Sequence, residues 1–411
     1  MSEIRITDEG QEQTDERSQF LIKAGVYLHR YGTPSHRIER VMSQVASALG
    51  MEGVFLYTPT ALILSLRRGG MEQTYLRRVD SGALDVDKLI RFDETLEQLE
   101  AKQLTLREAG ILFDEIANSA SPFGAAVTCG ACGLSCGAVA IMFGGGLMEV
   151  LVACLLGLSV RLLDLVHAAL KMERGFLELV VGFFASVTAI LISRFAVPMD
   201  DRLVTLASLI ILIPGLGITV ALTELAVGHL SAGVARLAGS CVSLLMLTIG
   251  VALGWRLAGM LRVIPEVGPW QLPDWCYWLA VAVAPLTFAI VFGARCQQWP
   301  TIFAVATTGV IISRVAGSQW GAEVGAFAGA LAVGIGSNLY GRLRDRPALV
   351  PLMPGMIILV PGSLGYRSLT AFVNHETMIG IDFAVSMLIV GIALVGGILT
   401  ANAVLPPKRI L

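Results

Sequence analysis

The sequence predicts a polytopic α-helical membrane protein. It has ten spans arranged as two inverted five-span repeats, broken helices at the fourth and ninth spans, and a small cytoplasmic α+β module in front. Three observations lead there. Hydrophobic residues make up 55% of the chain and mean hydropathy is +0.71, yet 33 of the 62 Asp, Glu, Lys and Arg fall in the first 120 residues. Such a composition joins a polar module to a membrane region. Ile210 to Gly215 (IILIPG) returns 147 positions later as Ile357 to Gly362 (IILVPG), each copy inside a long apolar segment. Two further matches keep the same order at nearly the same offset: Ala140 to Gly144 (AIMFG) with Ala289 to Gly293 (AIVFG), and Gly182 to Arg194 with Gly329 to Arg342. The hydrophobic part was therefore built twice. Five spans per unit is an odd number, so the halves enter the membrane in opposite orientations, about a pseudo-two-fold axis in the membrane plane.

Residues 1–14 are rich in Glu, Gln and Asp and poor in large apolar side chains, which predicts a disordered tail. The cytoplasmic module covers 15–120. From Glu16 a helical period places Phe20, Leu21, Ala24 and Leu28 on one face, and Tyr31-Gly32 stops it. Ser35 is the expected N-cap of the next helix, whose apolar face carries Ile38, Val41, Met42 and Val45 and which ends at Gly50. Val54 to Leu66 and Thr74 to Val79 read as two strands joined through Gly69-Gly70, followed by helices near 86–101 and 105–118. His29 and His36, with Arg30, Arg37 and Arg40, flank the first turn. They read as a solvated face, because no nucleophile or phosphate loop accompanies them.

A span needs roughly 20 apolar residues. Ten stretches qualify: 123–142, 147–166, 176–193, 203–226 and 232–258 in the first repeat (121–260), then 275–293, 301–317, 321–340, 349–373 and 382–404 in the second (275–411), with 261–274 as linker. The first twenty residues are too polar for a signal peptide, which predicts a cytoplasmic N-terminus. Basic residues agree: Lys171, Arg174, Arg295, Arg342, Arg344, Arg346, Lys408 and Arg409 fall on that side, against Arg194, Arg202, Arg256 and Arg262 opposite. Both termini are expected in the cytoplasm.

A net charge of −2 argues against nucleic acid as a partner. Cys129, Cys132 and Cys136 share a helix with Gly130, Gly133 and Gly137. With neither His nor a fourth thiol nearby, they predict a small-residue packing face rather than a metal site. No metal or cofactor is expected.

Duplicated halves with an interrupted helix at equivalent places mark a secondary transporter. A Pro-Gly break inside the bilayer frees backbone groups that must be paired or face a wet cavity. The helices starting after Pro214-Gly215 and Pro361-Gly362 point positive dipole ends at their breaks, where a carboxylate can bind; the alternative is a pair of packing kinks. Glu224, about two and a half turns past the first break, is an ionisable group in a span and by default functional, as ammonium acceptor or proton carrier. His229 is a candidate relay or an interfacial residue. Gly217, Thr219, Thr223, Ser337, Asn338 and Ser363 complete the candidate substrate site with Arg367, a carboxylate ligand or a headgroup contact. Glu149 and Glu323 sit near span ends, where interfacial solvation is expected. No Walker A sequence occurs, so ATP is not the direct driver and the proton gradient is the natural one.

The chain resembles the threonine/serine exporter family. The resemblance is carried by Tyr31-Gly32-Thr33-Pro34-Ser35, Phe143-Gly144-Gly145, Leu212-Ile213-Pro214-Gly215, Thr223-Glu224-Leu225, Gly233-Val234-Ala235-Arg236 and Leu359-Val360-Pro361-Gly362-Ser363. It covers nearly the whole chain, with two halves that look like separate gene products in many bacteria fused here, and Glu149 stands where the family usually shows Asp. It implies a bacterial inner-membrane exporter of threonine and serine, not an enzyme, with a succinate-type dicarboxylate exporter as the alternative. An intramembrane hydrolase using Ser363 or a cysteine, and a membrane sensor, are remote alternatives. The expected partners are a small solute and the lipid bilayer, with homo-oligomerisation open.

Overall fold

The computed structural model describes residues 8–408 apart from 69–70, 81, 83, 171, 173–174, 259 and 261–270. The expected linker 261–274 and the orienting charges Lys171, Arg174, Arg262 and Arg409 lie mostly or wholly outside that set.

The module runs α1 (Asp8–Arg30), α2 (Ser35–Ala48), β1 (Glu52–Thr58), β2 (Ala61–Arg68), β3 (Met71–Arg78), α3 (Val86–Glu100) and α4 (Leu106–Asn118). Helix α1 begins at Asp8, inside the segment expected to be tail. The run read as one strand, Val54 to Leu66, is two: Pro59-Thr60 forms a hairpin turn, and Thr58 pairs with Ala61. Proline has no N–H for a ladder, and the Thr58 hydroxyl accepts instead from the Ala61 N–H at 3.0 Å. The three strands form an antiparallel meander, β1-β2-β3. Its inner face (Phe55, Tyr57, Leu62, Leu64) packs on Leu21, Leu28, Ile38, Met42, Phe92 and Phe113, which closes one core.

Among the described residues twelve α-helices follow: α5 (Ala125–Met142), α6 (Leu147–Leu170), α7 (Phe176–Phe195), α8 (Asp201–Ser208), α9 (Gly215–Ala226) and α10 (Leu230–Ala258), then α11 (Trp275–Val291), α12 (Trp299–Trp320), α13 (Ala322–Arg344), α14 (Leu349–Ile357), α15 (Gly362–Val373) and α16 (Thr377–Val404). Among the described residues eight stretches are long and apolar enough to cross a membrane, α14 and α15 counting as one, and α9 and α11 are shorter apolar helices. The chain is thus a mostly helical membrane protein with a small sheet near its N-terminus. Packing repeats between the halves: α7 lies on α10 as α13 lies on α16, α9 on α10 as α15 on α16, and α6 on α8 as α12 on α14. Gly250 and Gly397, also 147 apart, each take a close backbone. A Cβ would stand 2.1 Å from the Leu179 carbonyl oxygen at one and 2.5 Å from that of Phe327 at the other. Small residues let these helices approach without a bulky side chain between them.

The module sits on one end of the bundle. The Val86 N–H donates to the Phe292 carbonyl at 2.9 Å, Asp87 pairs with Arg295 at 2.6 Å, and Glu94 pairs with Arg346. The chain segments 143–146, 196–200 and 374–376 gather at the other end, where Phe143, Asp200, Asn374 and Glu376 line one cavity.

Candidate functional site

The two Pro-Gly breaks touch. Residues 209–214 separate α8 from α9 and 358–361 separate α14 from α15, with Pro214 and Pro361 as the residues just before the new helices. A Cβ on Gly215 would lie 3.1 Å from the Gly362 Cα, and one on Gly362 would lie 3.0 Å from the Gly215 Cα. Only glycine permits this crossing. The positive ends of α9 and α15 therefore meet back to back in the middle of the bundle, with the first-turn N–H groups of Leu216, Gly217, Gly362 and Ser363 lacking backbone acceptors among the described residues. In this arrangement no solute fits between the breaks.

A cavity lies on each side of the crossing. The module-side cavity, about 320 Å³, is bounded by α9, α14 and α16, through Thr219, Val220, Thr223, Val227, Met353 and Asn402 among others. The far-side cavity, about 340 Å³, is bounded by α15, α8 and α10, through Tyr366, Arg367, Thr370, Asn374, Leu206 and Trp255. These sets correspond at the repeat offset: Thr219 with Tyr366, Val220 with Arg367, Thr223 with Thr370, Val227 with Asn374, Met353 with Leu206 and Asn402 with Trp255. One architectural unit, used twice, supplies these corresponding walls, and the module adds Pro34, His36, Arg37 and Arg40 to its own side.

The far cavity carries both charge signs, Arg202 and Arg367 with Asp200 and Glu376. Arg367 stacks 5.5 Å from the Phe143 ring centroid and Arg202 5.4 Å from that of Trp255, contacts that orient the guanidinium groups. The Tyr366 hydroxyl is buried without a hydrogen-bond partner among the described residues. On the module side the Thr219 and Thr223 hydroxyls donate to the carbonyls of Gly215 (3.2 Å) and Thr219 (2.8 Å), which leaves their oxygen lone pairs to accept. The Asn338 amide donates to the Asn402 side chain at 2.9 Å and to the Leu405 carbonyl, so it orients a lining residue without lining the cavity itself. Ser337 is buried and bonds its own helix at Val333, and Ser363 lines neither cavity.

Glu224 is placed away from the crossing. It is fully buried at the module end of α9, where Arg236 of α10 donates to both its oxygens (2.9 and 3.2 Å). The Ser35 N–H of the module donates to it at 2.9 Å. Ser35 does not cap α2 as expected. Pro34 holds that position, and a carboxylate from the bundle takes up the free N–H. His229 lies 3.3 Å from Glu39 of the module, with the His36 ring 6.1 Å from its own.

The expectation of a solvated turn face at His29 and His36 fails. His29 and Arg37 are buried, and His36 and Arg37 face the module-side cavity. Burial first, then the charges of Arg37, His229, Arg40 and Arg236, pushes His36 down to about 3, so its ring is neutral at physiological pH. Burial likewise lowers His29 and, with Arg40, brings Arg37 to about 10, still charged. Glu39 is raised, mainly by burial. Glu149 also departs from its expected solvation. It is buried and accepts from the Asp200 N–H at 3.1 Å, at the start of α8, whereas Glu323 is exposed. The cysteine helix packs by small residues: a Cβ on Gly133 would meet the Cys154 carbonyl oxygen at 2.7 Å, and one on Gly157 would meet Cys136 at 2.5 Å.

In the sequence His36, Arg37 and Arg40 read as a solvated face, and Arg202, Tyr366 and Asn402 stand outside the candidate site. For Tyr366 the signal was present as position, because the common offset carries Thr219 onto it; His36, Arg37 and Arg40 lie outside the repeats and have no such signal.

A profile described as "Putative threonine/serine exporter" matches residues 19–258, and one described as "Threonine/Serine exporter, ThrE" matches 277–404. Similar curated proteins include "Pheromone-regulated membrane protein 10" of Zygosaccharomyces rouxii, 24% identical over 86% of this chain and 37% of that protein. Its namesakes in Saccharomyces cerevisiae (24%, 88% and 50%) and Eremothecium gossypii (25%, 90% and 51%) are similar. The chain spans about half the length, or less, of these relatives. No solved structure matches it.

Proposed function

Since the chain belongs to the threonine/serine exporter family, we propose that it is a secondary exporter of a small carboxylate-bearing solute, with threonine and serine the leading cargo, driven by the proton gradient. In this reading α8 with α9 and α14 with α15 each make one interrupted span, giving ten spans in two inverted halves. The module then lies in the cytoplasm of a bacterial cell, beneath the inner membrane. The single observation that carries the reading is the pair of cavities lined by corresponding residues on opposite sides of the Gly215–Gly362 crossing. A transporter that alternates access needs such a construction: two half-paths, one barrier, and two near-equivalent halves that exchange roles around it. The far cavity, with both charge signs, suits a zwitterion. Glu39, raised by burial and set against His229, is the proposed place for a coupling proton.

One observation favours a dicarboxylate instead. Among the described residues no Asp or Glu lines the module-side cavity, while His36, Arg37 and Arg40 do. The test is flux of labelled threonine, serine and succinate through reconstituted protein under an imposed proton gradient. Flux of the two amino acids above that of succinate supports the reading. Flux of none overturns it.

A further inference from the structure

Seven lining positions of the two cavities correspond at the offset of 147, yet the basic groups come from different places. In the far cavity Arg202 and Arg367 stand on the bundle helices α8 and α15. At the corresponding positions of the module-side cavity stand Leu349 and Val220, which carry no charge. Two guanidinium groups are present there all the same, Arg37 and Arg40, and both belong to α2 of the soluble module. The module thus completes the cavity with the charge that its own helices lack.

We propose that helix α2 of the soluble module is part of the solute-binding site, with Arg37 and Arg40 binding the carboxylate of a solute held in the module-side cavity. The proposal rests on the export reading for its biological meaning and on geometry for its chemistry. Arg40 is exposed at the cavity mouth and forms no ion pair among the described residues, so its guanidinium is open to an arriving anion. Arg37 is 7% exposed and faces the same space. Behind them the Thr219 and Thr223 oxygens and the Asn402 amide offer groups for a hydroxyl or an ammonium. The Nδ1 atom of His36 is buried with no hydrogen-bond partner among the described residues, and the ring lines the cavity. A buried polar atom without a partner is costly, and a polar solute group in the cavity would satisfy it. Arginine suits the task because its planar donors match a carboxylate in two-point contact.

The module is held by ties that a moving gate would have to release: Ser35 to Glu224, Glu39 to His229, Asp87 to Arg295 and Glu94 to Arg346. A solute bound between α2 and the bundle therefore touches both bodies.

The test uses the full chain in lipid nanodiscs, in an Arg202→Gln/Arg367→Gln background that strips the far cavity of its basic side chains. The probes are L-threonine, succinate and L-threoninol, which replaces the carboxylate of threonine with a hydroxymethyl group. Arg40 is the residue to change, since it is exposed and its loss leaves the module core intact. Arg40→Gln should weaken threonine and succinate binding about tenfold or more, the loss of one charge-assisted contact, without weakening threoninol, and Arg40→Lys, which keeps the charge but not the two-point fork, should fall between Arg40→Gln and the parent. Equal loss for threoninol, no loss for any probe, or a parent protein with no preference for threonine over threoninol would overturn the proposal. Flux separates this result from the export reading: a protein that binds carboxylates through Arg40 and moves none of them refutes export alone.

Discussion

Gly362→Ala probes the barrier with a single added carbon. Its Cβ would stand 3.0 Å from the Gly215 Cα and 2.7 Å from the Ile213 Cγ2, where carbon atoms prefer about 3.5–4.0 Å. The isoleucine end can turn away, but the glycine Cα is backbone, so α9 and α15 must part by several tenths of an ångström. Overpacking of this kind costs about 1–3 kcal/mol. Intrinsic propensity works in the opposite sense, since alanine in a helix is favoured over glycine by up to about 1 kcal/mol. Helix stability therefore does not predict damage, and the crossing contact does. If the strain acts on one of two alternating arrangements more than on the other, 1–3 kcal/mol shifts their ratio by roughly 5- to 150-fold. Export by Gly362→Ala in proteoliposomes should fall about tenfold, and further with Gly215→Ala added, while the amount of inserted protein stays constant. Gly239→Ala is the control, because a Cβ there meets nothing within 4 Å. Wild-type export by the double variant would refute the reasoning and leave the Pro-Gly pairs as kinks.

Three further outcomes are expected. Glu224→Gln leaves Arg236 without its carboxylate and weakens the tie to Ser35, so amide exchange in α2 should rise and export of threonine and succinate should fall alike. A loss confined to threonine would return Glu224 to the role of ammonium acceptor. Arg367→Gln removes a basic group of the far cavity and should lower export while amide exchange in α2 stays unchanged; a rise there would contradict the separation of the two cavities. His36 holds a depressed pKa while docked, so the undocked module binds the extra proton, and docking weakens as pH falls from about 6.5 towards about 3. Protection of α2 from exchange should decline over that window in the wild type and flatten in His36→Gln; parallel profiles would show that another group governs it.

Local pattern made much of this molecule legible. The repeated IILIPG and IILVPG segments located both breaks to the residue, because proline and glycine act on their own backbone whatever surrounds them. Periodicity located most of the helices for a similar reason. It reports which face is apolar and not what covers that face. The hydrogen bond from Ser35 to Glu224 joins positions 189 apart and has no local signature, so the start of α2 read as solvated although Arg37 is buried. Glu224 is a second case. Its place in an apolar segment marked it as costly, and only the fold shows that Arg236 and the module are partners of it. Pro59 was legible and was passed over, since a long apolar run outweighed a single proline that divides it into two strands.

The most direct test of the central claim follows labelled threonine through proteoliposomes with a cysteine pair that locks the crossing, Gly215→Cys with Gly362→Cys, in a chain whose seven native cysteines are replaced. The account predicts threonine flux under a proton gradient in the reduced protein at a reduced rate, its loss on oxidation, and its return with a thiol reductant. Threonine flux that continues unchanged through the oxidised, cross-linked protein would contradict it, because the solute would then travel by a path that does not pass the two breaks.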